Sequence, residues 1–152
     1  MEVNYNSQKK AAERVAIAKD ALAWVEAGAL IPTKGTYVSP EHYPNDVVDA
    51  GKQLRDVFLG KCEVCVKGAL LLAKAVRFDN VLAVEMSRGR EQALREHFSD
   101  EQITMVEDYF ESAQWQLYGG TLANGSPEGR MVAILQNIID NEGTFCPEKL
   151  DG

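Results

Sequence analysis

Cys62 and Cys65 form the clearest invitation to chemistry in the chain. Two thiolates in a Cys-x-x-Cys arrangement can chelate zinc or cycle between dithiol and disulfide. A structural zinc site needs four ligands, and Cys146, His42 and His97 are the other residues able to complete one. No second Cys-x-x-Cys and no His-x-x-x-His pair accompanies them, and thioredoxin-like redox chemistry expects a βαβ setting that this sequence pattern lacks. The plainer reading makes Cys65 a small buried hydrophobe on a helix, with Cys62 near its start. The sequence therefore predicts no metal and no cofactor, with Cys62, Cys65, Cys146 and His97 as the fallback ligands. His42 and His97 belong to no Ser-His-Asp or Cys-His pattern legible from spacing. No Gly-x-x-x-x-Gly-Lys-Ser/Thr or Gly-x-Gly-x-x-Gly run occurs. Gly119, Gly120 and Gly125 precede a helix start that could hold an anion, but only Arg130 stands near as a positive partner, and an interhelical loop is the simpler account. No catalytic residue is assigned, and the chain reads as a binding protein rather than an enzyme.

Charge is more informative. Residues 99–125 contain Asp100, Glu101, Glu107, Asp108 and Glu111 and no Lys or Arg, within a chain of net charge −7. Asp100 and Glu101 fall in a first helical turn, where the dipole favours carboxylates. Glu107 and Glu111 form an i, i+4 like-charge pair, which costs about a few tenths of a kcal/mol. Trp115 follows Glu111 by one turn, off the apolar stripe. Helical spacing places Asp108, Glu111 and Trp115 along one outward strip bordered by Glu107. These four are the expected partner-binding residues, and the expected partner is a basic protein. The competing account is a solvated face with a half-buried Trp. The alternative function is a small-ligand or metal-binding helical domain using the 31–44 loop with Cys62, Cys65 and Cys146. A pI of about 4.9 argues against direct binding to nucleic acid or an anionic membrane.

The elements that must carry these residues are helical. With 152 residues, 45% hydrophobic and 26% charged, the chain can bury a core without disulfide staples. Asn6 or Ser7 can cap a first helix running to about Gly28, with Ala11, Val15, Ala18, Leu22 and Val25 on one face and Lys9, Lys10, Arg14 and Lys19 mostly off it. Pro32, Pro40, Pro44 and Gly35 forbid a regular helix over 31–44. Thr36-Tyr37-Val38 is the one β-prone triplet, too short to found a sheet. Asn45 can cap a second helix ending at Gly60. From Cys62 to Val76 apolar residues cover nearly every side, the mark of a central helix buried by several neighbours. A fourth helix spans about 81–96.

Ser99, three residues before Gln102, is a capping-box pattern, with Phe98 and Ile103 placed as a hydrophobic staple. Ile103, Val106, Phe110, Ala113 and Leu117 then form a stripe. Ser126-Pro127 opens a last helix with Met131, Ile134, Leu135, Ile138 and Ile139 buried, stopped by Asn141 and Gly143. Phe145 should pack back. The expected fold is all-α: a single domain, 1–152, of five to six helices around the helix at about 62–76, with little or no sheet. No apolar run reaches the roughly 18–20 residues of a spanning helix. The polar N-terminus shows no secretory signal, and three cysteines is an odd count, so a cytoplasmic location is expected.

Three stretches carry a resemblance: Cys65-Val66-Lys67-Gly68-Ala69-Leu70, Phe98-Ser99-Asp100-Glu101-Gln102, and Asn137-Ile138-Ile139-Asp140-Asn141-Glu142-Gly143-Thr144-Phe145. From Cys62 onward the chain resembles small helical proteins of unknown function found in phages and bacteria. The resemblance implies a helical fold and brings no activity with it; the size, acidity and missing catalytic motifs fit a phage or bacterial accessory protein that modulates a host factor.

Overall fold

The computed structural model describes residues 3–35, 38–40, 62–79, 91–111 and 126–150. His42, Trp115, the helix expected over 45–60, the start of the one expected over 81–96, and the 119–125 loop lie outside the described residues.

Helix α1 spans Gln8–Glu26, and the Ser7 hydroxyl accepts the Lys10 N–H at 3.1 Å, satisfying a donor that the first turn leaves without a partner. Its buried face is rotated from the expected one. Ala18, Leu22 and Val25 are buried, but they are joined by Ile17, Ala21 and Arg14, whereas Ala11 and Val15 are only half-buried. Arg14 turns inward because two backbone carbonyls wait for it there. The helix ends before Gly28, whose φ of +81° reverses the chain without a Cβ clash.

Three short strands follow: β1 (Leu30–Pro32), β2 (Val38–Pro40) and β3 (Cys62–Val64). They form a sheet in the order β1-β3-β2, with β1 parallel and β2 antiparallel to the middle strand. This corrects the start of the central helix, because Cys62–Val64 is extended and the helix α2 runs over Val66–Lys74. Cys65 is the cap. It is extended, with ψ 175°, and its sulfur accepts the Gly68 N–H at 3.4 Å, the task usually given to Ser or Asp. The expectation of a helix buried on all sides holds: from Val64 to Ala75 every residue but Lys67 is buried. α2 packs against α1, β3 and two later helices, and a π-helical turn over Ala75–Asp79 follows it.

Those later helices are α3 (Glu91–Leu94), a single turn, and α4 (Asp100–Glu111). The Ser99 hydroxyl caps α4 by accepting the Gln102 N–H at 3.2 Å, and Phe98 and Ile103 are both buried in the core cluster. Gln102 does not return to the cap residue as a capping box would have it. Its side-chain amide accepts the Phe145 N–H at 2.6 Å and donates to the Phe145 carbonyl at 3.1 Å, pinning the tail.

The last helix, α5 (Pro127–Asp140), begins at Ser126, whose hydroxyl accepts the Gly129 N–H at 3.1 Å. It buries Met131, Ile134, Leu135, Asn137 and Ile138 against α1, α4 and β1. Glu142 (φ +56°) and Gly143 (φ +91°) turn the chain back. Phe145 is then buried edge-on to Tyr109, their ring centroids 5.4 Å apart. The fold is mostly helical around one hydrophobic cluster, as expected, with the small sheet as an addition. Among the described residues no helix is long and apolar enough to cross a membrane.

Candidate functional site

Four apolar side chains seat α4: Ile103, Val106, Tyr109 and Phe110 are buried. Helical geometry then fixes where the acidic residues point. Glu101, Thr104 and Asp108 are exposed and share one outward strip, while Glu107 and Glu111 flank the buried side. Glu107 pairs with Lys67 of α2 at 2.9 Å. Glu111 reaches the turn after β1 and accepts the Gly35 N–H on both carboxylate oxygens, at 3.1 and 2.8 Å. Asp100 pairs with Arg95 at 2.5 Å.

The sequence pattern of five carboxylates without a compensating base therefore needs amending. Asp100, Glu107 and Glu111 are each answered by a group from another part of the chain. Of the expected partner-binding residues, Asp108 faces solvent, Glu107 and Glu111 tie α4 to α2 and the sheet, and Trp115 lies outside the described residues. Glu101 joins the outward strip, and no sequence argument singled it out, although its spacing of seven from Asp108 is a helical one.

A second group of charged residues gathers where α1 crosses the turn after α3. Arg14 is buried and donates from Nε to the Gly143 carbonyl at 2.7 Å and from Nη1 to the His97 carbonyl at 3.1 Å. Burial pulls its guanidinium below the usual arginine value, yet arginine stays a cation in proteins, so both carbonyls meet a charged donor. His97 is 4% exposed, its Nε2 lies 3.2 Å from the Glu13 carboxylate, and its ring stacks on Phe78 at 4.8 Å. Beside it the fully buried Lys74 ammonium meets the exposed Glu96 at 3.1 Å. Burial holds the His97 imidazole below the ordinary 6.5, Lys10 and Lys74 push the same way, and Glu13 opposes them. In this closed arrangement the imidazole is shut from solvent.

Three of the fallback metal ligands, Cys65, Cys146 and His97, are not grouped together among the described residues. The buried Cys65 thiol caps α2, and burial raises its pKa above the ordinary 9.0, keeping it the neutral thiol rather than the thiolate a metal binds. Cys146 is half-buried beside α5, and His97 is committed to Glu13. Among the described residues no three His, Cys, Asp or Glu side chains are grouped to hold a metal ion. A cleft of about 330 Å³ lies at the end of α5 between Gln136, Asn141 and Lys149. Its amides are already used within the chain. Gln136 donates to Asp140 and Asn141 to the Asn137 carbonyl, while Asn137 bonds both the N–H and the carbonyl of Cys146.

No family model, curated protein or solved structure matches the chain.

Proposed function

We propose that the protein is a non-enzymatic binding protein whose outward α4 face engages a basic protein partner. The observation that carries this reading is the strip of Glu101, Thr104 and Asp108, exposed on a helix anchored by four buried side chains, in a segment with no Lys or Arg from 99 to 125. Glu107 and Glu111 support it indirectly. By bonding to Lys67 and Gly35 they hold the helix at a fixed height over α2 and the sheet, so the outward carboxylates need little ordering on binding. Such a strip speeds encounter with a positive surface and contributes more to association than to residence. Trp115 is the aromatic anchor that the reading assigns to the same surface.

The test is the double variant Glu101→Lys/Asp108→Lys used as bait beside the wild-type chain. Both positions are exposed, so its stability should stay within about 0.5 kcal/mol of wild type. Proteins retained by the wild type at low salt should be lost from the double variant, and their association rate should fall with rising salt for wild type only. If both baits retain the same proteins with the same salt dependence, the strip is a solvated face and the reading fails.

A further inference from the structure

The cluster under α1 contains an unbalanced proton site. The His97 Nε2 is matched to Glu13, but Nδ1 is buried and has no hydrogen-bond partner among the described residues. In the neutral ring with its hydrogen on Nε2, Nδ1 is a lone pair, and a lone pair left without a donor is tolerated. Adding a proton makes it a buried N–H with no acceptor, which is costlier. The charged neighbours do not welcome that proton either. From α1 come Lys10, Glu13 and Arg14; from α2, Lys74; from the turn after α3, Arg95 and Glu96; from the π-helical turn, Arg77. Glu13 already holds Nε2, Glu96 is bound to Lys74, Arg77 is bound to Asp20 and Arg95 to Asp100. The easiest exit for an imidazolium is past Phe78, which covers the ring and is itself 39% exposed.

We propose that His97 is an acid-released latch: protonation of Nδ1 drives the imidazole out from under Phe78 and parts the turn after α3 from α1. The same turn supplies the His97 carbonyl to Arg14, so moving it also loosens the contact with the Gly143 carbonyl. The direction follows from linkage. The closed form prefers the neutral ring and the open form titrates normally, so closure is fully favoured above the ordinary histidine value and is lost as pH falls through the lower, buried one. Once the pH is below both values, each unit separating them multiplies the open population by about tenfold.

Amide hydrogen exchange, corrected for the intrinsic chemical rate, reads the opening directly. Between about pH 7.5 and 5 the wild-type chain should lose protection around Glu13 and over 94–98, while the interior of α5 keeps it. His97→Gln, which retains an N–H donor for Glu13 and cannot titrate in this window, should show no such loss. Unchanged protection in wild type, or an equal loss in His97→Gln, would overturn the latch. Should His97→Gln not fold, imidazole proton resonances of the wild-type chain decide the matter, because the chain has two histidines and His42→Gln identifies the other. A His97 resonance titrating below about 6.5 is expected, and one titrating at or above it refutes the proposal.

Discussion

Gly143 is a position where one added methyl group should do heavy damage. Its φ of +91° is a conformation that side-chain-bearing residues avoid, and an added Cβ would lie 2.7 Å from the Ala11 carbonyl oxygen, 3.1 Å from Arg14 Cβ and 3.2 Å from Arg14 Nε. The first of these is backbone of α1 and cannot swing aside. Gly143→Ala should therefore cost about 1–2 kcal/mol for the left-handed conformation and a further 1–3, roughly, for overpacking against α1. The total, about 2–5 kcal/mol, corresponds to a fall in Tm of roughly 5–15 °C for a chain of this size. Gly28 is the internal control. Its φ is +81°, and an added Cβ would meet nothing within 4 Å. Gly28→Ala carries the conformational cost alone, partly offset by about 0.4–1 kcal/mol from a less flexible unfolded chain. Guanidinium unfolding of the two variants, followed by circular dichroism at 222 nm, a wavelength at which helix signal is strong, compares them directly. If Gly143→Ala is no less stable than Gly28→Ala, the close seating of the tail on α1 is wrong.

Leu71→Asp or Leu135→Asp should abolish cooperative unfolding, because each buries an unpaired charge at a fully buried position; a near-native melting transition would refute the core assignment. Asn137→Ala should lower stability by about 2 kcal/mol in chemical denaturation, since it leaves the Cys146 N–H and carbonyl without their partners. Glu111→Lys should destabilise by roughly 1 kcal/mol where Glu101→Lys at an exposed position does not, because Glu111 accepts the Gly35 N–H; equal effects would show that contact to be immaterial. Elemental analysis should find no stoichiometric zinc, and chelator should leave the melting curve unchanged; about one zinc per chain would reinstate Cys62, Cys65, Cys146 and His97 as ligands.

Local chemistry was legible in the sequence, and distant chemistry was not. Ser7, Ser99 and Ser126 each cap the helix their spacing announces, Gly28 and Gly143 reverse the chain where helix stops were read, and Phe145 packs back. Each of these depends on partners within a few residues, or on an aromatic side chain that water rejects. Cys65 escaped notice as a cap because the apolar run around it has no periodicity to mark a boundary, and β3 escaped because its ladder partners lie about thirty residues back in the chain on one side. Arg14 looked like a surface cation because the carbonyls that bury it come from residues 83 and 129 positions away. The acidic strip was half legible. Helical spacing placed Asp108 outward, but Lys67 and Gly35, which claim Glu107 and Glu111, belong to other parts of the chain.

The Arg14 clamp also bears on how the nascent chain is handled. Arg14 leaves the ribosome 129 residues ahead of the carbonyl it finally holds. At about 5–20 residues per second, roughly 6–26 s pass before that partner exists. Throughout that interval Ile17, Leu22 and Val25 lack the α5 surface that later covers them. A permanent cation set within the same stripe acts as a gatekeeper, making the waiting segment a poorer template for self-association than an all-apolar stripe would be. The residue that bonds the Gly143 and His97 carbonyls in the finished fold is thus also the one charge within the buried stripe of its first helix.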